Sequence, residues 1–197
     1  MNKMLYVVRY SGAFGFIKPW TAVRDSETFS QQFLTPSIVE GIEKKLFPEL
    51  LTVSGIKRIK GHRLIYDRIA AQQEVIQTRG WNSVRKGRMI LFDRPTSILL
   101  RGVLINPVLH LAFECQDHAL NAAKQHICLC RNEDMLLPDE KIDIIKTEDF
   151  NDDERYPGFE LIFEQNERSF AVGIDRKTGL TMFGWLKIVG NPIKEYI

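Results

Sequence analysis

Cysteine is scarce in this chain: three in 197 residues, too few and too odd in number for a disulfide framework, so reduced thiols are expected. No run of about eighteen apolar residues occurs, which argues against a membrane-spanning helix. Residues 1–10 lack the charged start, apolar stretch and small-residue cleavage site of a signal peptide, so a cytoplasmic protein with no membrane partner is expected. Also missing are a phosphate-binding P-loop, a dinucleotide fingerprint, a nucleophile elbow and a His-Glu-x-x-His pair. These absences argue against nucleotide hydrolysis, hydride transfer, serine hydrolysis and zinc proteolysis. With no Pro/Gly linkers or internal repeats, and 44% hydrophobic residues, residues 1–197 read as one domain around one sizeable core.

Cys115, His118, His126, Cys128 and Cys130 lie close together, but paired C-x2-C knuckles are absent. His126, Cys128 and Cys130 alternate with Ile127 and Leu129, as on one face of a packed strand. Neither a metal nor any other cofactor is expected.

The net charge of +2 hides an uneven distribution. Residues 57–88 carry nine Lys or Arg against Asp67 and Glu74, whereas residues 133–154 carry ten acids against Lys141 and Lys146. The first stretch suits phosphate and the second repels it. In residues 12–24, Gly12 and Gly15 allow tight turns, and Lys18, Trp20 and Arg24 add cations and a ring. Together with His62, Arg63, Arg79, Trp81, Arg85, Lys86 and Arg88 they form the strongest constellation, aromatic rings interleaved with cations. That combination suits a single-stranded nucleic acid, whose phosphates pair with Arg and whose unstacked bases lie on rings.

Periodicity places a strand at 4–10 and a helix at 36–47. Thr35 or Ser37 caps the helix, Pro36 opens it, and Ile38, Val39, Ile42, Leu46 and Phe47 form its apolar stripe. Further strands are expected at 52–60, 89–92, 98–113 with a break at Asn106-Pro107, 126–131, 159–163, 169–174 and 180–189. A second helix is expected near 117–125 and an acidic loop over 138–157. Strand, helix, strand, strand, helix, strand is the ferredoxin-like (RRM-like) order of an α+β fold. A basic β-hairpin insertion at about 57–88 and extra C-terminal β elements at about 159–190 elaborate it.

Three stretches carry a family likeness: FLTPSIVEGIEKKLF after the first strand and its glycine-aromatic loop, RPTSILLRGVLINPVLHLAFE after the insertion, and NAAKQHICLCRN. They resemble the RAMP superfamily of CRISPR-associated proteins, in particular the Cas5-like subunit that caps the five-prime handle of the guide RNA, in the compact version found in type IV systems. The resemblance implies a RAMP core whose basic insertion forms a thumb. It further implies guide crRNA as ligand, a Cas7-like backbone subunit and a large Cas8-like subunit as neighbours, target DNA in the assembled complex, and a role in defence against viruses and plasmids.

Some relatives cut precursor RNA with a Tyr, a Lys and a His. Here Gln31 stands at the Tyr position, Lys124 matches, and His126 is displaced by one residue, which on a strand turns it to the opposite face. A noncatalytic RNA-binding subunit is therefore expected. The alternatives are a metal-independent endoribonuclease using Lys124, His126 and Tyr66, and a protein-only adaptor.

Overall fold

The first strand already divides the molecule into layers. β1 (Met4–Ser11) turns Leu5 and Val7 to one side, where they meet Ala112, Ile145, Phe150 and Tyr156. It turns Val8 and Tyr10 to the other side, toward the larger core of Val39, Ile42, Leu46, Leu109, Leu111, Phe113, Ala119 and Ala122. Period-two alternation on a strand buried on both faces requires this split. The computed structural model describes residues 3–19, 27–78, 80–151, 154–175 and 178–194.

β1 is followed by two short strands, β2 (Phe14–Gly15) and β3 (Glu27–Phe29), then by helix α1 (Pro36–Leu46). Thr35 is the extended N-cap residue of α1, although its side chain makes no capping hydrogen bond, and Pro36 fills the first turn, where its missing N–H is not needed. The next strand, β4 (Ile59–Ile65), starts well after the expected position 52. Glu43 causes the delay. Its buried carboxylate accepts hydrogen bonds from the backbone N–H groups of Lys57, Arg58 and Ile59 at 2.8, 2.5 and 2.8 Å. This fixes residues 51–58 as a loop over α1.

The chain continues through β5 (Arg68–Gln77), β6 (Asn82–Lys86), β7 (Met89–Asp93), β8 (Thr96–Ile105) and β9 (Val108–Phe113). β8 and β9 break at Asn106-Pro107 as the sequence indicates. Asn106 adopts a φ of 48°, with its backbone N–H donating to Ala13 and its side chain to Asp67. Helix α2 (Gln116–Ala122), β10 (Ile127–Cys128) and β11 (Met135–Lys146) follow, then β12 (Gly158–Ile162), β13 (Phe170–Ile174) and β14 (Thr181–Val189).

The fold is α+β and mostly antiparallel. Eight strands form one sheet in the order β10-β11-β1-β9-β4-β12-β14-β13. A second sheet is built on β8, which pairs with β5, β2 and β3; β6 and β7 pair only with each other. Among the described residues, no helix is long and apolar enough to cross a membrane.

Three expectations are corrected. The strand expected at 126–131 is only two residues long, because Leu129 hydrogen-bonds across a tight turn to Asp134. The acidic loop expected over 138–157 is β11 as far as Lys146, followed by a 3-10 turn over Thr147–Asn151. Pro138 is accommodated there because β11 bulges past β1 between the Tyr10–Pro138 and Val8–Ile142 pairs. Finally, the insertion does not begin at 57: β4 is a buried strand of the main sheet, and only the chain beyond it projects.

Two buried histidines make stability depend on pH. His62 is fully enclosed, and burial followed by the charge of Arg63 lowers its pKa to about 3. His110, packed edge-on against Tyr156, is lowered to about 4, chiefly by burial and then by Arg9. Both are neutral when folded, whereas the unfolded chain takes up their protons below about pH 6.5. Stability is therefore lost as pH falls through that value, by about 2 kcal/mol per histidine at pH 5. Urea unfolding at pH 7 and pH 5 should show this loss, and it should shrink in His62→Phe; a loss of the same size in that variant would exclude His62 as its source.

Candidate nucleic-acid interface

The projecting element is a long antiparallel ribbon. β5 and β8 pair without a break over ten residues, from Arg68 opposite Ile105 to Gln77 opposite Thr96. Beyond them β6 and β7 pair over five residues and close through Gly87-Arg88. Gly87 has a φ of 62°, the conformation that a two-residue hairpin of the II′ kind demands at its first turn position.

At the tip, every residue of β6 and β7 is exposed. Cross-strand partners share a face, so Val84 with Leu91 and Lys86 with Met89 form one side, while Ser83 with Phe92 and Arg85 with Ile90 form the other. Trp81 is 62% exposed and Phe92 67%. The Arg94 guanidinium lies 5.5 Å from the Trp81 ring centroid. Closer to the body, Phe29, Val75 and Ile98 are also exposed.

The glycine-aromatic loop is joined to this ribbon. β2 and β3 flank β8 on its other edge. Ser30 donates its N–H to the Gly102 carbonyl at 2.8 Å, and Gln31 donates its own to Ile17 at 2.9 Å. Beneath this junction the guanidinium groups of Arg101 and Arg131 lie 4.6 and 5.6 Å from the Phe16 ring centroid. Both reach the Glu74 carboxylate, at 2.7 and 3.5 Å. Arg131 is held in turn by two hydrogen bonds to buried Asp134, which raise its pKa.

The expected binding residues divide into three groups. Lys18 is exposed at the root, and Trp81, Arg85, Lys86 and Arg88 are exposed at the tip. Eight residues of β8 separate Leu104, opposite Gly15, from Thr96, which puts roughly 26 Å of strand between root and tip ribbon. The described candidate cations therefore form a cluster of three at the tip and a single lysine at the root, and not one patch. Trp20, Arg24 and Arg79 lie outside the described residues.

His62 and Arg63 are corrections, since both are buried. Arg63 forms an ion pair with Glu160, hydrogen-bonds to Asn151 at 3.2 Å, and stacks on Phe150 at 4.5 Å. His62 lies parallel to Phe163. A residue pattern cannot reveal such burial, because a lone basic residue in a strand reads the same on either face. The missed signal was Glu160, a lone acid in an otherwise apolar strand.

The nuclease candidates differ in burial. Tyr66 is buried, its hydroxyl donates to Gln32 at 2.7 Å, and burial pushes its pKa up to about 12. Lys124 and His126 are exposed on the turn between α2 and β10. No group of three or more His, Cys, Asp or Glu residues placed to hold a metal occurs among the described residues. Among the described acids of 133–154, Asp134 is engaged by Arg131, Asp139 by Arg9, and Asp143 by Tyr156, Lys141 and Arg155. No family model matches the chain, and no curated protein is similar to it.

The clamp at the root can be tested by truncating Phe16, which is buried. Phe16→Ala should cost about 3 kcal/mol of stability and speed tryptic cleavage at Arg85, Lys86 and Arg88 relative to sites in the main sheet. Equal cleavage ratios in the two proteins would mean that the clamp does not hold the arm.

Proposed function

We propose that the chain is a noncatalytic subunit that binds single-stranded RNA along its projecting arm. The observation carrying this reading is the tip ribbon, where Arg85, Lys86 and Arg88 stand in solvent beside exposed Trp81 and Phe92. Guanidinium and ammonium groups pair with phosphates, and exposed rings stack on unpaired bases. A small anionic metabolite would not need three exposed cations and two exposed rings on a projecting ribbon.

Within that reading, the chain is a Cas5-like RAMP subunit that holds the five-prime handle of a guide crRNA. The four strands β11-β1-β9-β4, antiparallel, with α1 after β1 and α2 after β9, support a ferredoxin-like core. The arm is inserted between the second and third of those strands in chain order, where the thumb of that family belongs. Apolar Val84, Met89 and Leu91 on one face of the tip suit a protein neighbour, such as the Cas7-like backbone or Cas8-like large subunit.

Fluorescence anisotropy with labelled single-stranded RNA over a range of salt concentrations tests the proposal. Wild-type affinity should fall steeply with salt. Charge reversal at Arg85, Lys86 and Arg88 together should weaken binding and flatten the log–log salt slope by about 2, at about 0.7 per lost phosphate contact. In EDTA the RNA should stay intact. No binding at low salt would favour the protein-only adaptor, and specific cleavage lost on substituting Lys124 or His126 would replace this reading with the endoribonuclease.

A further inference from the structure

The arm is not one continuous ribbon. Its regular pairing stops at Gln77 opposite Thr96 and resumes at Asn82 opposite Asp93. Four positions, 78–81, separate β5 from β6, but only Arg94 and Pro95 separate β7 from β8. Pro95 has no N–H to give the ladder, and unequal strand lengths of this kind re-aim the side chains beside them. Thr78 closes the joint: its N–H donates to the Pro95 carbonyl at 3.0 Å and its hydroxyl to the same oxygen at 3.1 Å. Trp81 stands at the end of the longer side, 62% exposed.

Arg94 ties this joint to the ring. Its Nε donates to the Thr78 carbonyl at 2.6 Å, and its guanidinium carbon lies over the Trp81 ring, 5.5 Å from the centroid. Arg94 itself is half-buried. A guanidinium is planar, with its donors in a fixed fork, so it can hold a carbonyl through Nε while its plane rests against a ring. Indole is the strongest aromatic partner for a cation. The contact covers one side of the ring, and the large exposure of Trp81 leaves the other side to solvent. An indole held in one orientation loses less freedom when a ligand stacks on it.

We propose that Arg94 is a positioning residue for a base-stacking site: it fixes the Trp81 ring from one side, and one unpaired base of a single-stranded RNA stacks on the other. Arg85, Lys86 and Arg88, nearer the tip, supply the charge that meets phosphates, whereas Arg94 acts through the ring and touches no phosphate. Every base has a π face, so the site accepts any of the four. The inference rests on the reading of the chain as a single-stranded RNA binder, and it separates the residue that orients the stacking platform from those that carry the electrostatics.

Anisotropy with labelled single-stranded RNA and the intact chain separates the two roles. Trp81→Ala should weaken binding about tenfold, the loss of one stacked base. Arg94→Ala should weaken it by a similar factor, leave the log–log salt slope unchanged, and add nothing in the Trp81→Ala background, as two residues acting as one unit require. Arg94→Lys should bind no better than Arg94→Ala, because an ammonium keeps the charge but not the planar fork. RNA should also quench the intrinsic fluorescence of the wild type more than that of Trp81→Phe, and this excess should vanish in Arg94→Ala. Restored binding in Arg94→Lys, a salt slope flattened by about 0.7 in Arg94→Ala, or equal losses from Arg94→Ala with and without Trp81 would make Arg94 a phosphate contact. Any of these, or no loss in Trp81→Ala, would overturn the inference while RNA binding stands. Absence of RNA binding by the wild type at low salt would overturn the RNA reading and this inference with it.

Discussion

Two guanidinium groups share one phenyl ring and one carboxylate at the root of the arm, and the proposed function depends on that junction. An isolated two-stranded ribbon is marginally stable in water. This one gains its direction from β8, which is covered along one edge by β5 and along the other by β2 and β3. Arg101 and Arg131 then tie β8 and the turn before β11 to Phe16 and Glu74. Because Arg131 is itself held by Asp134, which is fully buried, the clamp is anchored in the body and not merely on its surface. A ribbon held this way carries the tip cations Arg85, Lys86 and Arg88 on a preorganised support, which under the proposed function would lower the cost of ordering a bound strand.

The opposite constraint acts on the main sheet. On the sheet face away from α1 and α2, Phe150 and Tyr156 cover Leu5, Val7, Ala112 and Ile145, and the buried Arg63–Glu160 pair lies against Phe150. Burial pulls the Arg63 pKa down while Glu160 opposes that shift. A buried pair of this kind adds little net stability, but removing one partner strands the other charge and costs several kcal/mol, roughly 3 to 5. The central part of the face that many folds of this layout use for nucleic acid is thus covered.

Much of this was legible in the sequence. Apolar periodicity located β1, α1, β9, α2 and the C-terminal strands, and Asn106-Pro107 marked the break between β8 and β9, since each depends on local pattern or turn chemistry. What the sequence did not reveal were long-range polar contacts. Glu43 delays β4 by capturing three backbone N–H groups, and Glu160 draws Arg63 inward; each bond joins residues far apart in the chain. The Phe16 clamp was hidden for the same reason, as Glu74, Arg101 and Arg131 lie in three separate segments. At the proposed site, Lys18 and the tip residues were recognised from composition, but their spread along an arm follows from strand register, which composition does not encode.

The most direct test of the central claim is to locate the RNA on the protein. Ultraviolet crosslinking of the intact chain to single-stranded RNA, followed by peptide mapping, should place adducts on the arm at Trp81 and Phe92 and at its root. Adducts confined to β13, β14 or the loop over α1, with none on the arm, would contradict the account.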